Sequence, residues 1–142
     1  MPSLNKVLYT ATATASGGRS GKAKSSDGIL DVTLTTPKEM GGDGAPGTNP
    51  EQLFAAGYSA CFLGAMKAVS KGVGTRVPAE ATVTGNVSFG PIDHGYNIAA
   101  KLDISLPGLD KETAQKLVNA AHEVCPYSNA TRGNVDVTLN IV

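Results

Sequence analysis

The stretch NPEQLFAAGYSACFLGAMKAVSKG, Asn49 to Gly72, begins as a helix begins. Asn49 is an N-cap residue, Pro50 suits the first helical position, Glu51 puts acid in the first turn and Gln52 stands at the capping-box position. The pattern predicts a helix to about Lys71, stopped at Gly72. Its middle carries Ala55, Ala56, Gly57, Ser59, Ala60, Gly64 and Ala65, so no face is bulky and other elements can approach closely. Intrinsic propensity opposes Gly57 and Gly64 there unless packing needs them. A buried central helix is expected.

Upstream, Val7 to Ala15 alternates Thr10, Thr12 and Thr14 with Tyr9, Ala11, Ala13 and Ala15, the two-residue period of a long strand. Gly17-Gly18 loosens it. RSGKAKSS reads as a polar second strand closing at Asp27-Gly28, a type I′ hairpin signal, and ILDVTLTT resumes the alternation. PKEMGGDGAPGTNP is long for a structureless connection, which marks it as a candidate functional loop.

Downstream, EATVTGNVSFG and YNIAAKLDISL read as two strands joined by PIDHG, with Ile98, Ala100, Leu102, Ile104 and Leu106 on one face. Asp110 caps a second helix whose apolar stripe is Ala114, Leu117, Val118, Ala121 and Cys125, ending at Pro126. Val135, Val137, Leu139 and Ile141 alternate in the last strand. The order βββ-α-ββ-α-β predicts an α+β fold, with antiparallel sheets around central helices. A length of 142 residues fits one domain over 1–142.

Composition narrows the function. Twelve Lys and Arg balance 12 Asp and Glu with no basic block, so the surface that neutralises nucleic-acid phosphates is missing. The N-terminus lacks an apolar signal region and no run approaches the ~18 apolar residues of a membrane span, so a soluble, cytoplasmic protein is expected. His94, His122, Cys61 and Cys125 are too scattered for a structural zinc site.

Cys61 and Cys125 both fall in predicted helices among small or apolar neighbours. They read either as two buried free thiols or as a catalytic pair of attacking and resolving thiols; a structural disulfide fits poorly without an export signal. To be nucleophilic near pH 7, Cys61 needs a pKa below ~8.5. The helix N-terminus cannot supply this, because Cys61 lies ~16 Å past Pro50 and the dipole effect fades within a turn. A cation is required, and the arginines are Arg19, Arg76 and Arg132. His122, three residues before Cys125, leaves a Cys-His dyad open.

The stretches YTATATASGGRSG (Tyr9–Gly21), GGDGAPGTNPEQLFAAGYSACF (Gly41–Phe62), VPAEATVTGNVSFG (Val77–Gly90) and HEVCPYSNATRGNVDV (His122–Val137) resemble the organic hydroperoxide resistance (Ohr) family, a branch of the OsmC-like superfamily. The likeness spans essentially the whole chain. It implies a thiol-dependent peroxidase of the oxidative stress response, reducing organic hydroperoxides to alcohols as an intertwined homodimer. It implies that Cys61 is the peroxidatic and Cys125 the resolving residue, that Arg19 and Glu51 assist Cys61, and that a lipoyl dithiol on a lipoylated protein is the reductant. No haem, flavin or metal is expected. Leu53, Phe54, Phe62 and Tyr127 flank the implied site and offer apolar surface to an alkyl chain. Glu51 and Cys61 stand ten residues apart on one helix, ~15 Å of rise and about 80° of rotation. One Arg19 guanidinium serving both implies a site composed from two chains. The alternatives are a sister OsmC-type peroxidase, a binding module for an apolar ligand and a Cys-His hydrolase.

Overall fold

Alternation in the N-terminal quarter yields a smaller sheet than its length predicts. In the computed structural model, which describes residues 2–142, β1 (Ala13–Ser16), β2 (Lys22–Ser25) and β3 (Asp31–Thr33) pair antiparallel in that order. Residues 7–12 form no strand; Val7, Leu8 and Tyr9 are exposed, and Thr12 contributes only its carbonyl, which accepts the Ser26 N–H at 2.9 Å. An alternating pattern specifies a face but needs a partner strand, and the four residues of β2 do not reach that far.

The β2–β3 connection is not a type I′ turn, which needs positive φ at both central residues. Only Gly28 is there, at φ 76°, and its N–H closes on the Ser25 carbonyl at 2.9 Å. Asp27 instead accepts from the Ser25 hydroxyl and the Ile29 N–H, an arrangement that holds its carboxyl below the usual range. The Gly-rich segment after β3 is ordered by local bonds: a 3-10 turn at Lys38–Met40, Asp43 accepting from the Ala45 N–H, and a parallel bridge between Leu34 and Thr48. These residues belong to a unit ending at Pro50, and Glu51–Val142 forms a second.

In the second unit, β4 (Thr82–Ile92) and β5 (Gly95–Ser105) make an 11-residue antiparallel hairpin. β6 (Asp136–Ile141) joins the free edge of β5 in parallel, not antiparallel as the sequence predicts. Alternation carries no strand direction. A parallel neighbour needs a long crossover, and the chain supplies one in α2 (Lys111–Val124) and α3 (Pro126–Thr131). The α+β class stands. Asp110 caps α2 as expected, accepting the Thr113 N–H at 2.7 Å, and the predicted stripe of Ala114, Leu117, Val118, Ala121 and Cys125 is buried.

The long helix α1 runs Pro50–Val73, two residues beyond Lys71, because Gly74 rather than Gly72 takes the left-handed φ (88°) and returns its N–H to Ser70 and Lys71. Its Tyr58, Phe62, Ala65 and Met66 enter the core with Leu102, Ile104, Leu117 and Val118. By length and composition alone this helix is apolar enough to cross a membrane, contrary to the sequence reading, because its Ala, Leu, Phe, Val and Met outweigh its few charged residues. Nor is it buried all round: Ala56, Ala60, Gly64 and Ala68 lie four residues apart along an exposed face. Gly57 has a packing reason, since a Cβ there would meet the Tyr127 hydroxyl at 3.0 Å; at Gly64 a Cβ meets nothing within 4 Å among the described residues.

β4 crosses α1 most closely at Gly85, where a Cβ would sit 2.7 Å from Ser59 Oγ and 2.9 Å from the Ala55 carbonyl oxygen. Gly85→Ala should therefore destabilise the fold by about 1–3 kcal/mol through overpacking against backbone. Urea titration should show a lower midpoint at unchanged slope; an unchanged midpoint would mean that the strand and helix can separate without loss.

Candidate active site

Cys61 lies on α1 one turn after Tyr58, beside the face that enters the core, and is half-buried. Cys125 does not lie inside a helix. It is the junction residue, ending α2 and capping α3, with extended backbone (φ −62°, ψ 122°). Pro126, read from the sequence as a terminator, opens α3 at a position where its missing N–H costs nothing. The corner turns Cys125 inward, where it is fully buried, and its Sγ stands 3.7 Å from Cys61 Sγ. Sixty-four residues of separation end in thiol contact.

Burial pushes the Cys61 thiol pKa up. The backbone N–H of Tyr127 works against that rise, and the neighbouring Cys125 sulfur adds to it. The pair is thus placed for sulfur–sulfur chemistry, while the thiolate form of Cys61 still needs a positive charge beside it. Glu51 occupies the first turn of α1 and is half-buried; the helix rise sets it ~15 Å from Cys61. Arg19 lies in the β1–β2 turn, just after Gly17 and Gly18, both with positive φ.

Behind the sulfurs runs a polar chain that the sequence reading missed. Tyr58 Oη is 2.9 Å from Ser128 Oγ, and Ser128 Oγ is 2.8 Å from His122 Nδ1. Thr131 Oγ1 lies 3.4 Å from Tyr58 Oη and donates to the Tyr127 carbonyl at 2.9 Å. Tyr58, Ser128 and Thr131 are buried. Burial and the Arg132 charge hold the His122 pKa below its ordinary value, with Glu123 opposing them, so the ring favours the neutral form. The Ser128 hydroxyl, able both to donate and to accept, bridges the His122 ring and the Tyr58 hydroxyl. The contact described for the His122 ring is to Ser128 rather than to either sulfur. Arg132 closes the corner, donating to the His122 carbonyl at 2.6 Å and to Asn129 Oδ1 at 2.5 Å. The signal available in the sequence was Tyr58, a hydroxyl on an otherwise apolar helix stripe.

Of the predicted apolar flank, Phe54 and Tyr127 pack with their rings tilted at 47° and centroids 5.7 Å apart, and line a cavity of about 430 Å³ with Ile98, Ala130 and Val135 and the polar Asn97, Thr131 and Asn134. Phe62 is withdrawn from that role: its side chain is fully buried in the core, where the helix stripe puts it. Leu53 is half-buried on α1.

A family model described as OsmC-like protein matches residues 41–140. An organic hydroperoxide resistance protein of Xanthomonas axonopodis pv. citri is 58% identical, with 99% of each chain covered. The crystal structure of the organic hydroperoxide resistance protein OhrB of Bacillus subtilis superposes with a TM-score of 0.86 at 48% identity, covering 96% of this chain and 100% of that one. An organic hydroperoxide resistance protein from Elizabethkingia anophelis, with thiocyanate bound, gives a TM-score of 0.89 at 47% identity over 96% of this chain and 97% of the other. Two sulfurs in contact at a helix corner thus sit in a fold shared along nearly its full length with these relatives, and the chain belongs to the OsmC-like family, in its organic hydroperoxide resistance branch.

Proposed function

We propose that this protein is a soluble, cytoplasmic cysteine peroxidase that reduces organic hydroperoxides to alcohols. The observation that carries the reading is the 3.7 Å approach of a half-buried and a fully buried thiol. The Cys61 thiolate attacks the distal oxygen of ROOH; the O–O bond breaks, RO⁻ leaves and takes a proton as ROH, and Cys61 becomes a sulfenic acid. The Cys125 sulfur displaces that hydroxyl, forming the Cys61–Cys125 disulfide and releasing water. A lipoyl dithiol, carried on a lipoylated protein, reopens the disulfide by exchange and is itself oxidised to its cyclic disulfide. No bound cofactor enters the cycle.

Arg19 is the cation assigned to Cys61, lowering its pKa and donating to the peroxide oxygens as charge builds on the leaving alkoxide. Glu51 holds that guanidinium. The ~15 Å between Glu51 and Cys61 on one helix supports a homodimer in which different chains supply them. The exposed Ala56–Ala60–Gly64–Ala68 face supports close packing of a partner helix, and the exposed apolar residues from Val7 to Tyr9 support exchange of the N-terminal arm. Phe54, Tyr127 and their cavity favour an alkyl substituent on the substrate over hydrogen peroxide.

The reading is tested with purified protein, cumene hydroperoxide and dihydrolipoamide. Wild type should turn over, Cys61→Ser should be inactive, and Cys125→Ser should reduce about one equivalent and stall as sulfenic or further oxidised Cys61. Normal turnover by Cys125→Ser would remove the resolving role.

A Cβ at Gly64 meets nothing within 4 Å among the described residues, so the fold of Gly64→Leu should persist while the dimer and the activity weaken together, read by sedimentation and by rate. A fully dimeric, fully active Gly64→Leu would exclude helix packing at that face. Mixing Cys61→Ser with Glu51→Ala under subunit exchange should restore active sites. Two crippled variants that exchange without recovery would place Glu51 outside a shared site.

A further inference from the structure

Cys125 sits at the corner between α2 and α3, where its own backbone is extended rather than helical. Besides Arg132, which donates to the His122 carbonyl, three side chains hold the corner, one from each helix involved: Tyr58 on α1, His122 on α2 and Ser128 on α3. His122 and Ser128 straddle Cys125 at three residues on either side, and Tyr58 precedes Cys61 by three residues on the helix that carries it. The hydrogen-bond chain therefore joins the backbone segment bearing one sulfur to both segments flanking the other. Its central oxygen, Ser128 Oγ, is fully buried, where water cannot substitute for a lost partner.

We infer that the Tyr58–Ser128–His122 chain is a positioning device for the resolving thiol: it holds Cys125 Sγ within closing distance of Cys61 and so sets how fast the sulfenic acid becomes a disulfide. The inference rests on the peroxidase reading. The step it governs is the condensation Cys61–SOH + HS–Cys125 → Cys61–S–S–Cys125 + H2O, in which the thiol proton departs with the sulfenic hydroxyl. The competing step is a second attack by hydroperoxide on the sulfenic acid, which gives sulfinic acid and a second alcohol. None of the three side chains touches the peroxide in this scheme, so the first step is left alone and only the partition between the two fates of the sulfenic acid moves.

Tyr58→Phe removes one oxygen and keeps the ring; Ser128→Ala removes the central hydroxyl. Each should reduce cumene hydroperoxide in the first step within about twofold of wild type. Disulfide closure should slow by roughly tenfold, the rate equivalent of losing about one buried hydrogen bond. Mass spectrometry after a hydroperoxide pulse should then find a correspondingly larger sulfinic fraction at Cys61. The double variant should be no worse than Ser128→Ala, since both changes cut one chain.

Equilibration with a dithiothreitol redox buffer, which involves no peroxide, should show a similar fall in the effective molarity of the Cys61–Cys125 pair. Asp110→Ala, which loses a helix cap at the far end of α2, should lower the melting temperature and leave both readouts at wild-type values. If Tyr58→Phe, whose packing is conserved, shows wild-type partition and wild-type effective molarity, the inference is overturned. It is equally overturned if Asp110→Ala shifts both readouts as far. Failure of the peroxidase reading looks different: wild type itself would consume no hydroperoxide, and the condensation step would fall with it.

Discussion

Contact between Cys61 and Cys125 depends on one packing constraint, the seating of the α2–α3 corner against the face of α1 that carries Tyr58 and Phe62. Cys125 is buried because the stripe Ala114–Leu117–Val118–Ala121 continues one turn into the corner, and the corner exists because Pro126 ends α2 while opening α3. Gly57 completes the fit by letting the Tyr127 ring lie against the helix backbone. On the opposite side, Gly85 admits β4 to the same helix, so α1 is held between sheet and corner by two glycines placed where a methyl group would collide.

The same constraint sets the chemical problem. Burial that brings the sulfurs together also raises the Cys61 pKa, and Tyr127 offers only a neutral N–H against it. A peroxidatic thiolate in such a place needs a full positive charge, which is the role proposed for Arg19. Helix packing within the Glu51–Val142 unit defines the sulfur pair, and under the proposed reading the charge that activates Cys61 is left to Arg19.

Much of this was legible in the residues, because the features concerned are local. The Asp110 cap, the stripe ending in Cys125, the β4–β5 hairpin and the start of α1 each follow from spacing or capping chemistry within a few positions. What failed was whatever depends on a distant partner. Alternation in Val135–Ile141 marks a strand but not its direction, and the crossover made it parallel. Alternation from Val7 to Ala15 marks a strand face, yet only Ala13–Ser16 finds a neighbour in the chain. Pro126 carries the same signal whether it stops one helix or starts the next. For the site, Cys125 on a core face was readable, but its contact with Cys61 came only through family resemblance, and the Tyr58–Ser128–His122 chain joins three helices that no sequence spacing relates.

The central claim is that the two thiols act as one redox pair on an organic hydroperoxide. Its most direct measurement is an anaerobic titration of the reduced protein with one equivalent of cumene hydroperoxide, counting free thiols and alcohol and locating the linkage by peptide mass. The account predicts the loss of both thiols, one equivalent of cumyl alcohol and a Cys61–Cys125 disulfide. Retention of both thiols with the hydroperoxide unconsumed would contradict it.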